Sequence, residues 1–580
     1  MNKLATMLDR IAAFCAQRGV PAWLVGGSLR DLLLGYTPHD LDVAVDGDGT
    51  ALARAFADAT GGAFVALDDT RSTARVVLPL LQHSEFRTQD PEGAARLVVD
   101  FARLRGACIA HDLAARDFTL NALALPLFED SAFWLQDSEV SAHGVLAERP
   151  IILSVSDEFS AALIDPLGGL NDLRAGRLRP CAATSMSDDP LRMLRAVRLA
   201  AVLGLAIDPA LDRQIRVAAA MITAVAGERV RDELLKLLDT PNAARWLRYL
   251  DDTRVLTQLI PELEAGRDCE QPHVHVLPVL AHILETVRAV EWLQAQLPQP
   301  APSDDAPLAL GAQPDLAVAL PYADALAALM VQPRAQGVRR GALLKLAALL
   351  HDVAKPQTKE LHPDGKVSFY GHQDIGAEIA GRVGRRLGMS RPDISYVQLV
   401  VREHMRPGQL RTADVLTRRA LVRFFRDCGD AGPDVLLHEL ADHLATRGQH
   451  VDANGWQAHL AWTTHMLDGY YIPAVPAQEP LLRGDELIAA LGIAPGPLVG
   501  RMLREIDEAR AAGEITSRAE ALVLARRMRE ESGDTHQGAA AGSTNVLRLL
   551  LLDYRDLFGS RFVVTTSRVL IVEQRQQNQR

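Results

Sequence analysis

The stretch that most restricts this chain runs from Leu24 to Val45, LVGGSLRDLLLGYTPHDLDVAV. It reads as strand, glycine turn, helix, turn and strand. In the last strand Asp40 and Asp42 sit two apart in an apolar alternation. Residues i and i+2 of a strand face one side, so both carboxylates point the same way, about 7 Å apart by strand rise. Two like charges that close need a neutralising partner. A hard divalent cation such as Mg2+ supplies it, and such ions bring phosphates with them. Gly26 and Gly27 let backbone N–H groups approach a ligand, and the helix that follows presents its positive N-terminus. Arg30 adds a guanidinium for a phosphate. Together these parts predict a site for a metal-bound nucleoside triphosphate. Asp100, a lone charge in the strand-like RLVVDFARL, is the candidate third carboxylate of a two-metal site.

The surrounding pattern predicts an α+β chain. An amphipathic helix opens it, and AFVAL from Ala63, TARVVLPL from Thr73 and RLVVDFARL from Arg96 read as further strands. Residues 1–160 form a head with a small mixed β-sheet and helices. An all-α body follows, with a helical segment at 161–265, a second at 266–465 interrupted by a linker insertion at 298–323, and a third at 466–530. Residues 531–580 read as a linker and a small tail, in which RFVVTTSRVLIVEQR suggests a hairpin. The net charge of -11 argues against indiscriminate coating of nucleic acid, while leaving room for a local basic groove. The 5 cysteines are scattered without a CxxC pair, as expected of free thiols in a reducing compartment. No apolar run reaches the ~20 residues that span a bilayer, so a cytoplasmic protein without a membrane partner is expected.

Further motifs follow in a set order. They are ARDFTLNALAL from Ala115, IDPLGGLNDL from Ile164 and DDPLRMLRAVRLA from Asp188. With GGxxRD and DLD, this series resembles the class II tRNA nucleotidyltransferase and poly(A) polymerase family, the CCA-adding type. Ala115 replaces the first Arg of that family's RRDFTxNA, and Asp188 replaces a Glu. LLRGDELIAALGIAPGPLVGRMLREIDEARAAGEI, from Leu481, is similar to the family's C-terminal helices. The resemblance implies that Asp40 and Asp42 hold metal ions, and that Gly27, Arg30 and Arg116 contact the triphosphate or ribose. It implies that Asp189 and Arg192 read the Watson–Crick edge of CTP or ATP, with Arg195 assisting. An Asp that accepts and an Arg that donates match C or A, and leave buried polar groups unpaired against U or G. Their i, i+3 spacing predicts neighbours on one helix. The implied reaction joins nucleotides to the 3′ acceptor end of tRNA by two-metal transfer. The Arg-rich DLRAGRLRP from Asp172 and the helices after Asp188 would contact tRNA phosphates.

One departure bears on the product. The family's CCA-adding members carry a long flexible loop before RDFT, and here only GACIAHDLAA intervenes from Gly106. That resembles members that add only CC, and a poly(A) polymerase shares most of the motifs.

A second constellation lies in the helical body. LLKLAALLHDVAKP presents His351 and Asp352, followed by His372, His404 and Asp442, with His282 upstream. Imidazole and carboxylate on helices suit one or two divalent metals, Mg2+ or a transition ion, with an activated water. The order H…HD…H…H…D resembles the HD phosphohydrolase domain. His273 and His275 compete with His282 for the first position. Two further classes stay open: a hydrolase whose N-terminal region is regulatory, and a non-catalytic RNA-binding protein.

Overall fold

The computed structural model describes residues 2–38, 40–79, 96–128, 161–272, 274–298, 319–412, 416–472, 480–537, 563–565 and 568–570. Residues 80–95 and 129–160 of the predicted head, most of the 298–323 insertion, His273 and most of the linker after 531 lie outside these residues. The described residues form two compact units, 1–409 with 431–464, and 410–430 with 465–580.

In the first unit, α1 (Asn2–Ala16) leads to β1 (Ala22–Val25), α2 (Gly26–Leu33), β2 (Asp40–Val45), α3 (Gly49–Thr60), β3 (Ala63–Asp68), β4 (Thr73–Pro79), β5 (Arg96–Arg103), α4 (Ile109–Ala114) and β6 (Ala124–Leu127). The six strands make one mixed sheet in the order β3-β4-β5-β2-β1-β6. Only β2 and β5 run parallel; the other neighbours are antiparallel. The expected small mixed sheet is therefore present.

Alternation gives the sheet two chemical faces. Along β2, Leu41 and Val43 are buried, while Asp40 and Asp42 face the other side and are half-buried. Phe101, next to Asp100, turns into the apolar layer beneath α1 and α3. There the Phe14, Phe56 and Phe101 rings meet with centroids 5.1 and 5.4 Å apart. Each buried ring contributes about 2–3 kcal/mol, so the acidic face stands on a stiff apolar floor.

The body is helical. Residues 161–265 hold helices Arg192–Leu203, Pro209–Ala218, Gly227–Leu238 and Ala243–Asp252, and later in the chain come Val279–Ala295, Arg340–Leu350, His372–Arg386, Arg391–Glu403 and Gly432–Arg447. The second unit packs helices Gly484–Leu491, Pro497–Ala511 and Arg518–Gln537 around Leu487, Met502, Ile506 and Ala521. Its tail forms the expected antiparallel hairpin, Val563–Thr565 against Arg568–Leu570.

Candidate functional site

The head site is built by register. Asp42 on β2 lies beside Asp100 on β5, and Arg75 on β4 lies on the other side of Asp100. Asp40, two residues before Asp42, shares that face. The ligand atoms of Asp40, Asp42 and Asp100 lie within 4.8 Å of one another. Burial and then Asp40 raise the Asp42 carboxyl to about 6, against the pull of Arg116. A carboxylate crowded in this way fits a divalent cation.

Gly26 adopts φ +71, and a Cβ there would meet Arg116 Nη1 and Asp42 Oδ2, each at 2.9 Å. The glycine is needed on both counts. Beside it, Ser28 Oγ accepts from the Asp42 N–H at 3.0 Å and donates to the Val25 carbonyl at 2.9 Å. This hydroxyl ties the turn to the acidic strand, and the sequence reading missed it.

Arg116 lies over Gly26, with Nε and Nη2 donating to Asp112 Oδ2 at 2.9 and 2.8 Å. Arg30 differs from its expected role. Its buried guanidinium donates to Asn121 Oδ1 at 2.8 Å and to Asp31 Oδ1 at 2.8 and 2.6 Å. Those contacts bind α2 to the Thr119–Asn121 turn. Asp117 continues the chain of contacts. It accepts from Asn121 Nδ2 at 3.0 Å and from the Phe118 N–H at 2.8 Å, and pairs with Arg195 at 2.9 Å.

The predicted base-reading pair is not two neighbours on one helix. A helix ends at Asp188, Asp189 is extended with φ -144, and the next helix begins at Arg192. No ion pair links the two side chains. Asp189 Oδ1 accepts from the Leu191 N–H at 3.2 Å, and Oδ2 accepts from Arg229 Nη2 at 2.8 Å. Arg192 instead donates to the carbonyls of Ala115 at 3.2 Å, Arg116 at 3.4 Å and Ser185 at 3.5 Å. Spacing suggested a continuous helix; the proline at 190 breaks it. Each side chain is held by its own scaffold, and Arg229, 40 residues on in sequence, carries no local signal.

The second cluster gathers five helices. His282, His351, Asp352 and one end of Asp442 converge, and His372 with His404 approach the same Asp352. Asp352 Oδ2 lies 3.3 Å from His282 Nε2 and 3.2 Å from His351 Nε2. Its Oδ1 lies 3.3 Å from His372 Nε2 and 3.6 Å from His404 Nε2. One carboxylate thus stands between two imidazole pairs. His351, His372 and His404 each use Nδ1 to donate to the carbonyl three residues back, at 2.7–2.8 Å. That bond commits each Nδ1 as a donor and aims each Nε2 at Asp352, so Nε2 is the atom that a cation would take once it carries no proton.

Asp442 Oδ1 reaches His282 Nε2 at 2.9 Å. Lys355 Nζ contacts Asp352 Oδ2 at 2.6 Å and Gln271 Oε1 at 2.7 Å. Buried Asp352 Oδ1 has no hydrogen-bond partner, which fits a cation between His372 and His404. Burial drives His404 down to about 3. Against burial, Asp352 and Asp442 lift His351 to about 10.

His275 stands apart, its Nε2 3.5 Å from Lys355 Nζ and outside the ligand groups. The sequence reading missed His438, buried 4.8 Å ring to ring from His351. Its i, i+4 spacing from Asp442 was the available signal.

Three family descriptions match the chain: "Poly A polymerase head domain" over residues 22–137, "Probable RNA and SrmB- binding site of polymerase A" over 204–266, and "HD domain" over 279–446. The A-adding tRNA nucleotidyltransferase of Deinococcus radiodurans is 33% identical over 88% of this chain and 96% of its own length. The chain belongs to the tRNA nucleotidyltransferase and poly(A) polymerase family. The CC-adding tRNA nucleotidyltransferase of Thermus thermophilus is 32% identical over 86% of this chain and 92% of its own. Among solved structures, a CCA-adding enzyme with ATP superposes with TM-score 0.54 at 20% identity, covering 91% of this chain and 96% of that one. The Thermotoga maritima CCA-adding enzyme complexed with tRNA gives 0.52 at 19% identity, covering 91% and 96%. This family member is a nucleotidyltransferase with an HD domain, and among its described residues no helix is long and apolar enough to cross a membrane.

Proposed function

We propose that this enzyme adds nucleotides of one base type, C or A, from CTP or ATP to the 3′ end of tRNA. The convergence of Asp40, Asp42 and Asp100 beneath the glycine turn carries the reading. Asp40 and Asp42, with Asp100, would hold Mg2+, whose oxygen-only donor set they match. The ions would activate the RNA 3′-hydroxyl and stabilise the departing pyrophosphate. The α2 N-terminus and Arg116 orient the triphosphate, and Asp189 with Arg192 reads the base edge.

Restriction to one base type is supported by the short segment before Arg116. It is helical in α4, and Asp112 ties it down by accepting from the Arg105 N–H at 3.0 Å and by pairing with Arg116. Arg192 hangs from the same segment, so the template has no long loop to shift it from C to A. The loop favours C, while the relative named A-adding favours A. Transcripts ending before CCA, after CC and after CCA, incubated with labelled CTP or ATP, decide between them. Growth by CC, or by a single A, supports the reading; complete CCA or long A tails from this enzyme alone sink it.

For the HD domain, the imidazole-rich set favours a transition metal, and a phosphohydrolase acting on cyclic or terminal phosphates fits it. Phosphate release from a 2′,3′-cyclic nucleotide, lost in Asp352→Ala, tests that second activity. We also propose the functional division as head 1–160, neck 161–265, HD 266–465, C-terminal tRNA-binding helices 466–530 and tail 531–580.

A further inference from the structure

The acidic face of the head already holds a cation of its own. Arg75 Nε donates to Asp100 Oδ1 at 2.8 Å, and Nη2 donates to Asp100 Oδ2 at 2.7 Å. Nη2 also lies 4.0 Å from Asp40 Oδ2. Both Asp100 oxygens are therefore engaged, and the guanidinium reaches toward Asp40, a member of the same three-carboxylate group. These N–H bonds take one lone pair on each oxygen and offset the carboxylate's charge, so a divalent ion on Asp100 competes with Arg75 for that carboxylate.

The pair is also placed to open. The Arg75 side chain is 37% exposed and that of Asp100 15%. The fork-shaped pair Arg340–Asp434 in the helical body is 1% and 0% exposed, and losing either partner there strands a buried charge. Arg75 can swing into water, where its charge is solvated at little cost.

We propose that Arg75 is an exchangeable counter-ion of the head. It neutralises Asp100 while no second divalent ion is bound, and it competes with that ion for the Asp100 carboxylate. Arg75 thereby sets the ion concentration at which the head becomes competent, and it orders loading, with Asp40 and Asp42 filled before Asp100. It is a positioning residue, acting through Asp100. The proposal rests on the metal reading of Asp40, Asp42 and Asp100.

Mn2+ binding to the full-length, chelator-stripped enzyme tests it, with free Mn2+ counted by electron paramagnetic resonance. Subtracting the Asp42→Asn protein isolates the ions of the head from those of the HD site. Arg75→Met is expected to tighten the weaker head ion roughly tenfold. Arg75→Lys, which keeps a charge but loses the fork, should fall between it and wild type. Arg71→Met, in the turn between β3 and β4, removes a charge without freeing Asp100 and should change binding little. In Arg75→Met/Asp100→Asn the tightening should vanish. Unchanged or weaker binding in Arg75→Met overturns the proposal, as does equal tightening in Arg71→Met or persistence in the double variant. If Asp42→Asn removes no Mn2+ from the wild-type count, the metal reading itself fails.

Discussion

The head cluster and the HD cluster both gather acidic donors, yet they are built oppositely. The head uses three carboxylates, each half-buried, on one face of a sheet, with Arg75 and Arg116 beside them. The HD cluster uses four imidazoles and Asp352, all buried, at the ends and on the faces of packed helices. Open oxygen donors suit a hard ion that comes and goes with a nucleotide. Enclosed nitrogen donors suit a resident ion that also holds helices together. The difference teaches that one chain can present two kinds of donor set, an open one on a sheet and an enclosed one among helices.

Four measurements press on that contrast, the largest effect first. Asp42→Asn should lower nucleotide addition by ~10³-fold or more, since metal ligation supplies several kcal/mol of barrier lowering. Its melting temperature should not fall, and a large fall would erase the distinction. Gly26→Ala should lower kcat/KM by roughly tenfold to a hundredfold. It adds a left-handed strain of ~1–2 kcal/mol and pushes on Arg116 and Asp42, and normal kinetics would show that the turn adapts.

His351→Ala, or chelation, should lower melting of the HD helices by roughly 5–10 °C, as expected for an ion held at about 100 times its Kd. Nucleotide addition by His351→Ala at permissive temperature, with Mg2+ supplied, should stay within about threefold. Unchanged melting would make the HD ion no staple.

The smallest effect is one of pH. The Asp42 carboxyl is raised from 3.8 to about 6 in the fold. The native state therefore binds the extra proton between those values, and stability from this group is full below 3.8 and is lost as pH rises through 6. Without divalent ions, Asp42→Asn should exceed wild type in stability at pH 7 by on the order of 2 kcal/mol, with the gap closing by pH 4. A gap that widens toward low pH would reverse the assignment.

Local chemistry made much of this legible. The alternation DLDVAV fixes which face Asp40 and Asp42 take, because the strand period is local. The glycine turn, the HD pair and the later histidines carry their chemistry in residue type. Arg192 was named, but its partners were not, because Pro190 ended the helix that spacing had suggested. Arg30 is bonded to Asn121, 91 residues away, a partner that no local pattern reveals. Ser28 and Asp117 gave only weak signals, since a hydroxyl or a carboxylate in a turn has many uses.

By itself, then, the sequence determined the kinds of donor and the faces they occupy, since side-chain chemistry and strand or helix period are local properties. Tertiary structure alone decided which donors meet. Register between β2, β5 and β4 set Asp42, Asp100 and Arg75 in one row. Helix packing placed Asp352 between two histidine pairs. Both depend on contacts across tens of residues, whose energies come from a shared apolar core that no short stretch contains.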